Sequence, residues 1–174
     1  GEAHIENFKN LNGIAKAKGE IINNIKKNGT LILNRDDKYF DYFKKRAKLK
    51  KIRIVSFGIS KKSDVYPISF KRNKKEKMFT FKICNQILKI KAKNLNIYNI
   101  LATLSLLKVL NLNFFESASR FINFQPSEGR GKIYNIKRYK KNFKLIDESY
   151  NANPLSVKNA IKNFQLVKKE KFKK

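Results

Sequence analysis

The stretch Leu145-Ile-Asp-Glu-Ser-Tyr-Asn-Ala-Asn-Pro154, continued by Leu-Ser-Val-Lys-Asn-Ala-Ile161, decides how this chain reads. Phe143, Leu145 and Ile146 form a short apolar run, the pattern of a buried strand. Residues 147–153 then supply side chains that can bond backbone or ligand, and Pro154, with its fixed φ, suits the first position of a helix. Strand, polar turn and helix in succession indicate an α/β protein. In open α/β sheets ligands collect beyond the carboxyl ends of strands, where these acids, amides and hydroxyls would lie. The plain alternative is a capped strand-to-helix junction that binds nothing.

Working outward, the apolar residues Leu11, Ile14, Ala15, Ala17, Ile21, Ile22 and Ile25 recur at helical spacing, and Asn28-Gly29 supplies a stop signal. Thr30–Asn34 reads as a short buried strand. Asp36 and Asp37 are expected to cap a second helix through Tyr39, Phe40, Phe43 and Ala47, and 52–57 is a further strand ending at Gly58. This alternation implies a parallel sheet. From 64 to 91 the apolar period becomes two: Val65, Ile68, Phe70, then Met78, Phe79, Phe81, Ile83, then Ile87, Leu88, Ile90. That is an antiparallel pattern, with 71–77 as a charged turn. Residues 96–110 form an apolar helix expected to be buried around most of its circumference, and 115–124 a shorter one. Residues 126–131 break both periods and form the expected linker. Residues 133–139 and 143–146 should pair as strands, with the helix Pro154–Lys169 packed against them. The fold class is α/β, in two domains, 1–126 and 127–174.

A formal charge of +28 and 41% apolar residues describe a globular chain with an extreme basic balance. Taken alone, the charge favours an anionic partner such as nucleic acid or a membrane surface. However, only seven of the 41 basic residues are arginine, and lysine is accompanied by abundant Asn, Ile and Phe. These four residue types share A/T-rich codons, so genome composition accounts for the charge and a solvated lysine surface is its result. No recognition helix, zinc-finger spacing or paired aromatic RNA-binding motif is present, so no specific nucleic-acid partner is expected. The single cysteine, Cys84, cannot form an internal disulfide, and no apolar run of spanning length occurs, so a cytoplasmic chain without membrane insertion is expected. The sequence begins at Gly1 without methionine and ends on lysines where another strand would follow, so a fragment is expected.

Three constellations could carry chemistry. His4 is the sole histidine, more often a structural than a functional residue when alone, and Lys18 is one lysine among many. Asn34, with Asp36 and Asp37 at a strand end, could meet the edge of a purine, although capping is the ordinary role of the two acids. Arg130 and Asp147 flank the expected linker. A guanidinium fork suits phosphate oxygens, and a strand-end carboxylate suits the hydroxyls of a ribose. Asn151 and Asn153 could orient a substrate without adding charge, or could only stabilise their turn.

The run Asp147-Glu-Ser-Tyr-Asn-Ala-Asn-Pro154, with Gly129-Arg130 upstream, resembles the ATP-dependent Mur ligases of bacterial cell-wall synthesis, in particular the type that adds D-alanyl-D-alanine. The family usually has two aspartates where this chain has Asp147-Glu148. Near the amino terminus, Ala3-His-Ile-Glu-Asn-Phe8 and Ile14-Ala-Lys-Ala-Lys-Gly-Glu-Ile21 resemble the family segment downstream of its nucleotide loop, with Phe8-Lys9-Asn10 in place of the usual Phe-Gly-Ser. The resemblance makes His4 a magnesium ligand and Lys18 a lysine carbamylated by carbon dioxide, an oxygen-donor anion that a hard cation accepts. It assigns adenine contact to Asn34, phosphate contact to Arg130 and ribose contact to Asp147, and places Tyr150, Asn151 and Asn153 beside the reacting centre. Lys18, Arg130, Asn151 and Asn153 are then the catalytic candidates. Asn96 and Asn99 resemble an Asn-x-x-Asn helix opening, but Lys93 and Leu95 replace the usual glycine and histidine, and both asparagines are read as structural.

What the resemblance implies is the back half of a central ATP-binding domain, a mostly parallel sheet plus a small antiparallel sheet, followed by the start of a Rossmann-like carboxyl-terminal domain. The implied reaction joins D-alanyl-D-alanine to UDP-N-acetylmuramoyl-tripeptide with ATP and Mg2+, in a cytoplasmic monomer. No Gly-x-x-x-x-Gly-Lys-Ser/Thr loop occurs, so this chain alone is expected to be inactive. Another Mur ligase or a folylpolyglutamate synthetase would share the architecture, but the run Ser149-Tyr-Asn-Ala-Asn153 favours the D-alanyl-D-alanine type. A basic nucleic-acid-binding module is the non-enzymatic alternative.

Overall fold

The computed structural model describes residues 10–72, 77–92, 96–121, 123–150, 152 and 154–169. The chain divides into two compact units, Ala15–Phe124, and a second taking in Gly1–Ile14 and Gln125–Lys174. The helical stretch expected over 11–25 is split into α1 (Leu11–Gly19) and α2 (Ile21–Asn24). The break falls at Glu20, directly after Gly19, and glycine is a weak helix former. Asn28, not Gly29, takes the left-handed conformation after the helix, at φ 66°.

The sheet begins with β1 (Thr30–Asn34), continues through α3 (Phe40–Leu49), and returns as β2 (Arg53–Phe57), parallel to β1 from Thr30 opposite Arg53 to Asn34 opposite Phe57. β2 pairs in parallel with β3 (Val65–Arg72) through Phe57 and Val65. β4 (Lys77–Ile83) and β5 (Gln86–Ala92) then add antiparallel, so the two patterns seen in the sequence join edge to edge in one five-stranded sheet. Period-two burial holds on β4, where Phe79, Phe81 and Ile83 enter the core. A register shift between Pro67 and Ser69 interrupts it on β3: Ile68 falls in the irregularity, 44% exposed, while Phe70 comes opposite Phe79, with ring centroids 4.8 Å apart, and is still half exposed.

Against these strands lies α4 (Ile97–Val109), whose Ile100, Leu101 and Leu104 meet Val65, Phe81, Ile83, Leu88 and Ile90 in the main core. One face of α4 is buried rather than most of its circumference, since Leu106 is 48% exposed. Ser105 is buried at no cost in unpaired polarity, because its hydroxyl donates to the Leu101 carbonyl at 2.8 Å. Asn96 caps α4 by accepting from Tyr98 N at 2.8 Å, the structural role expected of it. A short α5 (Phe114–Ala118), capped by Asn113, closes this unit.

In the other unit, β6 (Lys132–Arg138) and β7 (Lys141–Asp147) form an antiparallel hairpin, with Lys132 opposite Asp147 and Arg138 opposite Lys141. Tyr139 and Lys140 take φ of 51° and 54°, the positive pair that a type I′ turn requires. α6 (Pro154–Lys169) starts on its proline as expected. Two expectations fail here. Phe143 and Leu145 are 45% and 48% exposed rather than buried, because a two-stranded ribbon has no covering layer among the described residues. Val157, Ile161 and Phe164, one stripe of α6, are also about half exposed, so these residues do not seal against the hairpin. Among the described residues no helix is long and apolar enough to cross a membrane.

Candidate functional site

The hairpin register brings two sequence features together. Because Lys132 faces Asp147, the turn 127–131 leading into β6 lies beside the residues leaving β7. Gly131 N donates to the Asp147 carbonyl at 2.7 Å, and Tyr150 N donates to the Gly129 carbonyl at 3.1 Å. The expected linker is therefore a hydrogen-bonded turn. Gly129 has φ 71°, and a Cβ on it would lie 2.7 Å from Tyr150 N, so only glycine fits both the conformation and the approach.

Asp147 organises this bracket. Its Oδ2 accepts from Gly129 N at 2.9 Å, and its Oδ1 accepts from Ser149 N at 3.1 Å and Ser149 Oγ at 2.7 Å. Hydrogen bonding from the Ser149 hydroxyl, then from the Gly129 and Ser149 amides, holds its carboxyl below the usual carboxylate range. Three of roughly four acceptor positions on a carboxylate are thus used by the chain itself. Beside it, the Arg130 guanidinium lies over the Tyr150 ring, with Cζ 3.9 Å from the ring centroid. Glu128 is engaged with Lys132 at 2.9 Å.

A second cluster sits at the carboxyl ends of β1 and β2. Asn34 Oδ1 accepts from Asp36 N at 3.0 Å, folding the chain back after the strand. Asp37 holds the entry to α3, accepting from Tyr39 N at 2.8 Å. Asp36 is no cap: its Oδ2 accepts from Ile59 N at 2.6 Å and from Tyr98 Oη at 3.2 Å. One carboxylate thereby joins the turn after β1, the loop after β2 and the start of α4. Gly58 makes room for it, since a Cβ there would meet Asp36 Oδ2 at 2.8 Å. Burial first, then the charge and hydrogen bond of Asp36, push the Tyr98 phenol above its ordinary value. A nearby bracket joins Ser56 to Asp64, whose Oδ2 accepts from Ser56 N at 2.7 Å and Ser56 Oγ at 2.6 Å. Sequence reasoning missed these side-chain ties. The one available signal was Gly58 directly after a strand, a mark of close approach.

Lys18 and Lys16 both stand exposed on α1. His4, Asn151 and Asn153 lie outside the described residues. Among those described, no three His, Cys, Asp or Glu side chains converge as a metal site. The structure thus places Arg130 and Asp147 in one unit and Asn34 and Lys18 in the other.

The Mur ligase middle domain model matches residues 1–107. The chain is 31% identical over 170 residues to the UDP-N-acetylmuramoyl-tripeptide–D-alanyl-D-alanine ligase of Rickettsia prowazekii, across 95% of this chain and 37% of that protein. To the ligase of the same name from Buchnera aphidicola subsp. Baizongia pistaciae it is 29% identical, across 92% of this chain and 34% of the relative. A UDP-N-acetylmuramate–L-alanine ligase of Borreliella burgdorferi is 32% identical, across 92% and 36%. Crystal structure I of MurF from Acinetobacter baumannii superposes with a TM-score of 0.78 at 23% identity, across 95% of this chain and 35% of that one. MurF from Thermotoga maritima, in complex with ADP, gives 0.70 at 22% identity, across 95% and 37%. The chain therefore spans just over a third of the length of the relatives it matches.

Proposed function

The chain belongs to the Mur ligase family, and from that premise we propose that it contributes to an ATP-dependent ligase joining D-alanyl-D-alanine to UDP-N-acetylmuramoyl-tripeptide. The observation that carries this reading is the bracket at the end of β7, which sets an arginine fork against Tyr150 and an oriented carboxylate against Ser149, the first two residues of the sequence run that continues to Asn153. Relatives named for D-alanyl-D-alanine addition support it, while the Borreliella relative keeps L-alanine addition as the competing reading. We assign 1–126 to the rear of the central ATP-binding domain and 127–174 to the start of the carboxyl-terminal domain, in a cytoplasmic monomer.

In the proposed reaction a carboxylate oxygen of the tripeptide attacks the γ-phosphorus of ATP, releasing ADP and leaving an acyl phosphate. The dipeptide amine then attacks the acyl carbon, and the tetrahedral adduct collapses by expelling phosphate to form the amide. Arg130 would offset charge on the transferring phosphoryl group, with Asn151 and Asn153 orienting the reactants. Asp147, with most of its acceptor capacity committed to the turn, would take one ribose hydroxyl. Asn34, whose Oδ1 is held by its own turn, would offer its amide N–H to the adenine edge. We further read His4 and a carbamate on Lys18 as the ligands toward magnesium, which would supply charge neutralisation between phosphates. The described residues alone offer no such ligand set.

The test uses the full-length gene product with ATP and two substrate pairs: UDP-N-acetylmuramoyl-tripeptide with D-alanyl-D-alanine, and UDP-N-acetylmuramate with L-alanine. Mass spectrometry should detect the pentapeptide product. Product from the second pair alone would overturn the assignment.

A further inference from the structure

Resting on the reading of Arg130 as a phosphate-facing residue, we infer that Tyr150 is its positioning residue, an aromatic platform that aims the guanidinium without consuming its donors. Stacking engages the face of the guanidinium, whereas its five N–H groups lie in the plane and remain directed outward. With Cζ 3.9 Å from the ring centroid, the contact is close to van der Waals stacking. A carboxylate partner would instead occupy those donors and neutralise the charge. The neighbouring acids are committed elsewhere: Asp147 to Gly129 N and Ser149, and Glu128 to Lys132. Among the described residues no carboxylate pairs with Arg130.

The stack is built by the backbone. Arg130 N donates to the Ser127 carbonyl at 3.1 Å, and Tyr150 N donates to the Gly129 carbonyl at 3.1 Å, so both residues leave tied segments. Gly129 lets those segments approach to a distance no side chain would allow. Tyr150 is 66% exposed, so its place in the fold is not core filling. An exposed apolar ring held under a cation with free in-plane donors is an arrangement for receiving a planar or tetrahedral oxyanion edge-on.

The test uses the full-length protein with ATP and both ligase substrates. Tyr150→Phe keeps the platform and should match the parent. Tyr150→Leu should lower kcat/KM for ATP by about 2- to 5-fold, the range expected for an exposed cation–aromatic contact. In an Arg130→Gln background the same Tyr150→Leu change should have no further effect. The Arg130 Nε–Hε resonance, displaced by the ring current, should move in Tyr150→Leu and stay in Tyr150→Phe, while amide exchange across β6 and β7 is unchanged in both. Undiminished kcat/KM in Tyr150→Leu with an impaired Arg130→Gln would overturn the positioning role alone. An impaired Tyr150→Phe would also overturn it, in favour of the hydroxyl. Full turnover in Arg130→Gln would remove the phosphate role and the positioning role with it.

Discussion

Replacing Gly129 by alanine tests the backbone bracket on which the candidate site stands. The φ of 71° places this residue in the left-handed region, where a Cβ costs about 1–2 kcal/mol. The added carbon would also lie 2.7 Å from both Tyr150 N and Tyr150 Cβ, so the strand end must retreat. Retreat breaks the bond from Tyr150 N to the Gly129 carbonyl, about 1 kcal/mol more. The sum is about 2–3 kcal/mol. Gly131→Ala is the internal control. Its φ of 89° carries a similar conformational cost, but its Cβ meets only the movable end of Glu148, at 3.3 Å. It should cost about 1–2 kcal/mol. The assay is native-state amide exchange across the β6–β7 ladder in the full-length protein. Gly129→Ala should reduce protection by roughly 30- to 160-fold if the hairpin opens through that local equilibrium, and by clearly more than Gly131→Ala. Equal losses in the two variants would refute the close approach of Gly129 to Tyr150.

Other expectations follow from the same geometry. The Asp147 carboxyl is held below its unfolded value, so its contribution to hairpin stability is complete above the ordinary carboxylate range and lost as pH falls through the lowered folded value; an NMR titration of the Gly129 and Ser149 amides should report that step, and Asp147→Asn should abolish it. Asp36→Ala should lower the Tyr98 phenol pKa only part of the way to normal, since burial is the larger cause, and Tyr98→Phe should cost about 0.5–1.5 kcal/mol; a phenol unchanged in Asp36→Ala on NMR titration would contradict the contact. Lys18→Arg keeps charge and helix propensity but cannot form a carbamate, so ligation measured with bicarbonate present should fall sharply while Lys16→Arg stays near parental; undiminished Lys18→Arg turnover would eliminate the carbamate. Duplex DNA should bind weakly and with steep salt dependence, and a titration giving tight, sequence-selective binding at physiological salt would revive the nucleic-acid reading.

Which features were legible in the sequence depended on the range of the interaction that determines them. Thr30–Asn34 and the helix start at Pro154 follow from a residue's own neighbours, and they stand where periodicity and proline chemistry put them. Burial is decided by what packs on a surface, so the apolar period of Phe143 and Leu145 gave a strand correctly but overstated its cover. Asp36 shows the same limit for polar groups. Before a helix an acid is read as a cap, yet this carboxylate finds Ile59 N, brought by the β1–β2 alignment, and Tyr98 Oη, brought by the start of α4.

The pairing of Arg130 with Tyr150 illustrates how a long-range relation can still rest on a local device. Each residue belongs to a segment that sequence singled out, but nothing local says that the two should meet. The register of the hairpin does, and that register is set at its far end, where Tyr139 and Lys140 adopt the paired positive φ of a type I′ turn. From that turn the ladder runs back to Lys132 opposite Asp147, delivering the glycine turn against the strand end. A slip of one residue would turn Asp147 to the opposite face and remove the acceptor for Gly129 N. The two-residue turn therefore positions the candidate phosphate arm through a ladder of backbone bonds, although no side chain in it belongs to the site.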